Sequence, residues 1–204
     1  MARSTVGYHG LFIAIAVFGV APNAIGSLDP PCARPRTAVQ VANPIAMLVR
    51  ALAQCGEGLS ERERRQIAGA IRMESQRHGY DPLFILAMVE VESACSPTAR
   101  SRDGAVGLIQ VKPSVARAVA EEAGLRWRGA HTLTQPVLNL HLGMRYLAQL
   151  ERRYGDPHIA VAAYNLGPRR VGRMSRAEAR QVPYVRKVLA AYEDLLAQHG
   201  TGRS

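Results

Sequence analysis

Apolar positions recur along this chain at helical spacing, and no segment shows the strong alternation of a half-buried strand. The run "LFILAMVEVES" that follows Asp81-Pro82 is apolar almost all round, the pattern of a helix buried in the middle of a domain. Asp81 offers an N-cap and Pro82 a first-turn proline. Upstream, Ser60 and Glu63 form a capping-box pair, and Ile67, Ala70, Ile71 and Glu74 follow at helical spacing, which predicts a helix to about His78. Further helices are predicted from near Pro113, Thr134 and Asp156, each with a proline in or beside its first turn. Gly124, Gly155 and Gly167 stand where these helices stop. A last helix is predicted from about Pro183 to Gln198, with Val185, Val188, Leu189, Tyr192, Leu195 and Leu196 on one face. The loop from Ser96 to Val106 has room for a small hairpin around "RDG". The fold class is mainly α.

The pattern also divides the chain. "LFIAIAVFGVA", Leu11 to Ala21, is too short for a membrane span, follows a stretch with one arginine and no acid, and precedes the small residues Ala24 to Gly26. Residues 1–26 are therefore expected to be a signal peptide, cut near Ser27, leaving an exported, periplasmic protein with no stable membrane span. Pro30, Pro31 and Pro35 interrupt any helix up to Asn43, and "PIAMLVRALAQ" predicts a short helix packing on the domain. The expected organisation is a linker with a short helix over 27–58, a catalytic domain over 59–199 and a tail over 200–204.

Charge adds a partner class. The chain carries +10, and still +9 without residues 1–26, with 25 basic against 16 acidic residues. That implies an anionic partner or surface, and the lack of zinc-finger spacing or an RNP-type motif argues against nucleic acid. Cys32, Cys55 and Cys95 all survive the cut, so two could pair in an oxidising compartment, and the sequence leaves open which two. Neither CxxC nor HExxH occurs, so no metal and no cofactor are predicted.

Glu90 and Glu92 end the apolar run, two positions and so about 200° apart on a helix, and cannot act together. Glu92 falls in the last turn, where a side chain can face a cleft. Against apolar walls its charged form is disfavoured, which makes it a credible proton donor near neutral pH. Glu90 is expected to pair with an arginine on a buried or semi-buried side.

Four ordered motifs then carry a resemblance. "VESACSPTARSRDGAVGLIQ", Val91 to Gln110, is similar to a Glu-Ser segment closed by Gly-Leu-Met-Gln. "NLHLGMRYLAQL", Asn139 to Leu150, "AAYNLGPRRV", Ala162 to Val171, and "VPYVRKV", Val182 to Val188, follow in order. From about Asp81 to Gln198 the chain resembles the lytic transglycosylases of the soluble (SLT) type, in the lysozyme-like superfamily that includes the goose-type lysozymes. The resemblance implies a helical lysozyme-like fold with an irregular loop after the catalytic helix, and a cleft for peptidoglycan glycan strands. It makes Glu92 the catalytic acid, with Ser101 and Gln110 contacting sugar at the cleavage site and Tyr164 holding Glu92 or the substrate acetamido group. Asn165 and Tyr184 would complete the wall. The implied reaction cleaves the bond between N-acetylmuramic acid and N-acetylglucosamine and closes a 1,6-anhydro ring.

Each supporting residue also has a plain structural reading: Gln110 as a cap of the next helix, Tyr164 as packing, Asn165 as part of the turn before Gly167. Ser93 is expected to bond local backbone at the helix end. Asp103, in "RDG", reads as turn chemistry rather than as a second catalytic carboxylate, which favours transglycosylation over hydrolysis. Three departures from the family pattern stand out: Cys95, Leu166 and the pair Val111-Lys112. Cys95 is either bonded to Cys55, bracing the helix end, or a free buried thiol. Lys112 bears on the sugar site or on an anionic stem peptide. A hydrolytic muramidase and a non-catalytic wall-binding protein are the alternatives, and an envelope-spanning secretion or pilus assembly is one setting for such an enzyme.

Overall fold

The computed structural model describes residues 44–56 and 58–200; the signal and linker expected before Pro44, with Cys32, and residues 201–204 lie outside them. The chain begins with α1, Pro44–Cys55, whose Met47, Leu48, Ala51 and Leu52 are buried at helical spacing. They join the same core as the rest of the molecule. Next, α2, Glu61–His78, opens on the capping box of Ser60 and Glu63 and closes on left-handed Gly79. Then comes α3, Pro82–Ser93. Asp81 accepts from the Leu83 N–H at 2.7 Å, and Leu83 through Val89 are all buried, so the all-round apolar pattern marks the central helix.

Beyond α3 the chain is irregular to Lys112. Two isolated antiparallel bridges, Arg100 with Val106 and Val106 with Val111, stand where a hairpin was expected, and no strand occurs among the described residues. Helices at the predicted positions, together with two unforeseen short ones, complete the domain. They are α4 (Pro113–Glu122), α5 (Pro136–Tyr154), α6 (Pro157–Leu166), the short α7 (Pro168–Val171) and α8 (Arg176–Arg180), and α9 (Pro183–His199). The helix expected from Thr134 is preceded by a separate 3-10 turn, Ala130–Thr134. α7 and α8 are each under two turns, too short for a hydrophobic period to show.

Helix α9 lies along α3, and α5 packs between α2 and α6. The α3–α9 seam carries an edge-to-face contact between Phe84 and Tyr192 at 5.9 Å. The basic stretch "PRRVGRMSR" contributes to the packing, because Arg176 and nearby Arg180 reach Asp156, the N-cap of α6, at 3.3 and 2.5 Å. Glu74, fourth in the apolar stripe of α2, is also buried. Burial raises a carboxyl's pKa, but hydrogen bonds and charge from His141, His78 and Arg77 outweigh it and hold Glu74 at about 2.

Candidate active site

Glu92 sits in the last turn of α3, partly buried, on the wall of a cleft of about 410 Å³. That volume lies in the range of small-ligand sites. Helix α3 ends there because Ala94 (φ 46°) and Cys95 (φ 62°) both turn left-handed. Neither is a glycine, so the turn is strained. It is held by a disulfide from Cys95 to Cys55 at the end of α1, with the two Cα atoms 5.9 Å apart. Ser93 ties the same turn down, its hydroxyl donating to Leu108 O at 2.7 Å and to Val89 O at 3.1 Å.

The "GLIQ" loop forms a second wall of the cleft. Buried Asn139 of α5 clamps it from both sides: Asn139 Oδ1 accepts from Ile109 N–H at 2.9 Å, and Nδ2 donates to Val106 O at 2.8 Å. Gly107 (φ +86°) passes so close that an added Cβ would lie 2.3 Å from Leu133 O. Gln110 is itself left-handed (φ 46°) and donates from Nε2 to Gly107 O at 2.9 Å and Ala99 O at 3.2 Å. It braces its own loop; the N-cap of α4 is Lys112, without a side-chain cap bond.

Glu92 Oε1 accepts a 2.6 Å hydrogen bond from Tyr184 Oη, on α9. Oε2 has no partner among the described residues, which leaves it to carry the acid proton. Burial pushes the Glu92 carboxyl up to about 7, and the Tyr184 hydrogen bond only partly offsets this. The Tyr184 phenol is driven well above its ordinary value by burial and by Glu92, so it remains a donor.

The predicted site residues separate into two sets. Ser101, Gln110, Tyr164 and Asn165 line the cleft together with Glu92. Tyr184 is buried and stands behind the carboxyl, outside the lining. Of the two expected roles of Tyr164, a hydrogen bond to Glu92 is not made. Its hydroxyl donates to Ile109 O at 2.9 Å instead of to Glu92, although the Glu92 charge is close enough to raise its phenol further. Ser101 accepts from the Ala105 N–H at 3.0 Å within the turn that carries Asp103. Glu90 is exposed and has no ion pair among the described residues, against the expected arginine, because the face of α3 opposite Glu92 at that level meets solvent.

Tyr146 and Val115, which have no role in the sequence reading, also line the cleft, beside Asp103 and Lys112. Tyr146 leans on Tyr164 with ring centres 5.5 Å apart. Its place was readable, since it lies three positions after Gly143 in the "NLHLGMRYLAQL" motif and so on the same helix face.

A helical domain with a carboxyl raised to about 7 on the wall of a cleft defines a class, a lysozyme-like fold that carries a candidate acid. The chain belongs to the Transglycosylase SLT domain family, which it matches over residues 69–186. It is similar to the soluble lytic murein transglycosylase of Salmonella typhimurium, with 36% identity over 90 residues, 43% of this chain and 14% of that protein. It is 40% identical over 77 residues to an endo-type membrane-bound lytic murein transglycosylase A of Klebsiella pneumoniae, covering 36% of this chain and 37% of that one. Among solved structures, lytic transglycosylase Slt of Pseudomonas aeruginosa, crystallised as an inactive glutamate-to-glutamine mutant, superposes with TM-score 0.57 and 27% identity over 76% of this chain and 28% of that chain. The chain thus matches less than two-fifths of the length of each.

Proposed function

We propose that the protein cleaves the β-1,4 bond between N-acetylmuramic acid and N-acetylglucosamine in peptidoglycan, as a lytic transglycosylase of the bacterial envelope. One observation carries this: a carboxyl held at about 7 on the cleft wall. The glycosidic oxygen leaves poorly as an alkoxide, and Glu92 protonates it as the bond breaks. The muramyl 2-acetamido oxygen covers the cationic carbon. Glu92, now a carboxylate steadied by Tyr184, takes the proton of the sugar's 6-hydroxyl, which attacks the same carbon and closes the 1,6-anhydro ring. The proton returns to Glu92, and no water is consumed.

Support comes from the family and from relatives named as murein transglycosylases, soluble and membrane-bound. The inactive mutant of the Pseudomonas protein carries the exchange expected to inactivate this chain at Glu92. No helix among the described residues is long and apolar enough to cross a membrane. Ser101, Gln110, Tyr164 and Asn165 are proposed to contact the glycan. A narrower setting, recruitment to an envelope-spanning secretion or pilus assembly, predicts that deleting the gene blocks that assembly and leaves growth intact.

Hydrolysis is the second reading, because Asp103 lines the same cleft and offers a carboxylate to hold a water. Mass spectrometry of glycan fragments released from purified peptidoglycan separates the two. Anhydromuramyl ends from the native protein, absent with Glu92→Gln, are expected; reducing ends one water heavier would establish a muramidase. Binding without turnover by the native protein would leave only a wall-binding role.

A further inference from the structure

Lys112 is the sole cation among the described residues that line the cleft. Its backbone is fixed: Val111 and Val106 exchange both N–H···O bonds at 3.1 Å, and Pro113 follows and restricts the residue before it. The side chain is exposed and has no ion-pair or hydrogen-bond partner among the described residues. Asp103 lines the same cleft but makes no ion pair with it, so no described residue neutralises the ammonium charge. Nor does Lys112 serve the acid, since the Glu92 shift comes from burial and Tyr184 alone. A rooted, unpaired cation beside apolar Val111 and Val115 faces whatever enters the cleft.

The sugar backbone of peptidoglycan is uncharged. Its acidic groups hang from the lactyl ether of muramic acid, either as the free lactyl carboxylate or as carboxylates of an attached peptide. We propose that Lys112 is a specificity-determining residue that recognises a carboxylate borne by the muramyl substituent. The proposal rests on the transglycosylase reading above.

The test uses peptide-bearing glycan and amidase-stripped glycan, each also with its carboxylates converted to primary amides by carbodiimide and ammonia. KM for fragment release is measured for the native protein, Lys112→Arg and Lys112→Met, and Kd for the same glycans in a Glu92→Gln background. The native protein is expected to favour anionic over amidated glycan by about fivefold, the scale of a solvent-exposed ion pair. That preference should weaken with added salt, persist in Lys112→Arg and fall to near unity in Lys112→Met. Preference within the stripped pair identifies the lactyl carboxylate; preference confined to the peptide-bearing pair identifies a peptide carboxylate. An equal preference in native and Lys112→Met proteins, or a native protein indifferent to both amidation and salt, overturns the proposal. Absence of turnover by the native protein would instead defeat the transglycosylase reading, and the Kd comparison would still decide the role of Lys112.

Discussion

Removing the Tyr184 hydroxyl deprives Glu92 Oε1 of its donor and leaves burial unopposed, so the carboxyl of Tyr184→Phe should titrate higher than that of the native protein. The alkaline limb of kcat/KM is expected to move up in pH while kcat falls about 10–100-fold, because the base formed after bond cleavage is less stabilised. An unmoved pH profile would show that Tyr184 only fills space. Glu92→Gln should lower kcat by about 10³-fold or more at every pH. At this scale the sequence was most informative about the acid, whose place in the last turn follows from where the apolar run ends. It was less informative about the tyrosines. Tyr164 and Tyr184 both belong to motifs, but which hydroxyl meets Glu92 depends on how α9 lies against α3, a contact that no local pattern encodes.

At the scale of elements, the cleft depends on how closely α5 approaches the "GLIQ" loop. A Cβ at Gly143 would lie 2.4 Å from Ile109 Cγ2 and 2.9 Å from Tyr164 Oη. Gly143→Ala should therefore cost about 1–3 kcal/mol by overpacking and raise KM by displacing the loop. Gly69→Ala in α2 meets nothing within 4 Å and should stabilise by about 0.5–1 kcal/mol. Urea denaturation of the two variants checks the contrast, and equal effects would contradict it. Helices with caps and prolines, such as α2, α3 and α9, were legible from sequence because each carries its own start signal and several turns of period. The loop after α3 was not. Its shape comes from Asn139 of α5 and from left-handed Ala94, Cys95 and Gln110, residue types that do not announce such backbone.

For the whole molecule, the disulfide from Cys55 to Cys95 joins α1 to the turn that carries the acid across a separation of 40 residues. Chain-entropy arguments put its contribution at about 4 kcal/mol. Cys55→Ser/Cys95→Ser should lose much of that in urea denaturation, and the native protein should show the same loss under reductant. Two carboxyls set opposite pH trends. Glu74, held at about 2 against an ordinary 4.5, contributes stability that is present above pH 4.5 and lost as pH falls toward 2. Glu92, raised from 4.5 to about 7, favours the folded state in its protonated form, so stability declines as pH rises from 4.5 through 7. Unfolding free energies from pH 3 to 8 should thus show an alkaline decline, of order 2–3 kcal/mol from this group, that Glu92→Gln removes.

The titration of Glu92 itself is the sharpest measurement. In protein labelled with 13C at the glutamate carboxyls, the resonance missing from Glu92→Gln should titrate with a midpoint near 7, well above an ordinary glutamate. A midpoint near 4.5 would leave the side chain ionised at neutral pH, without a proton to give the departing sugar, and would contradict its role as the acid.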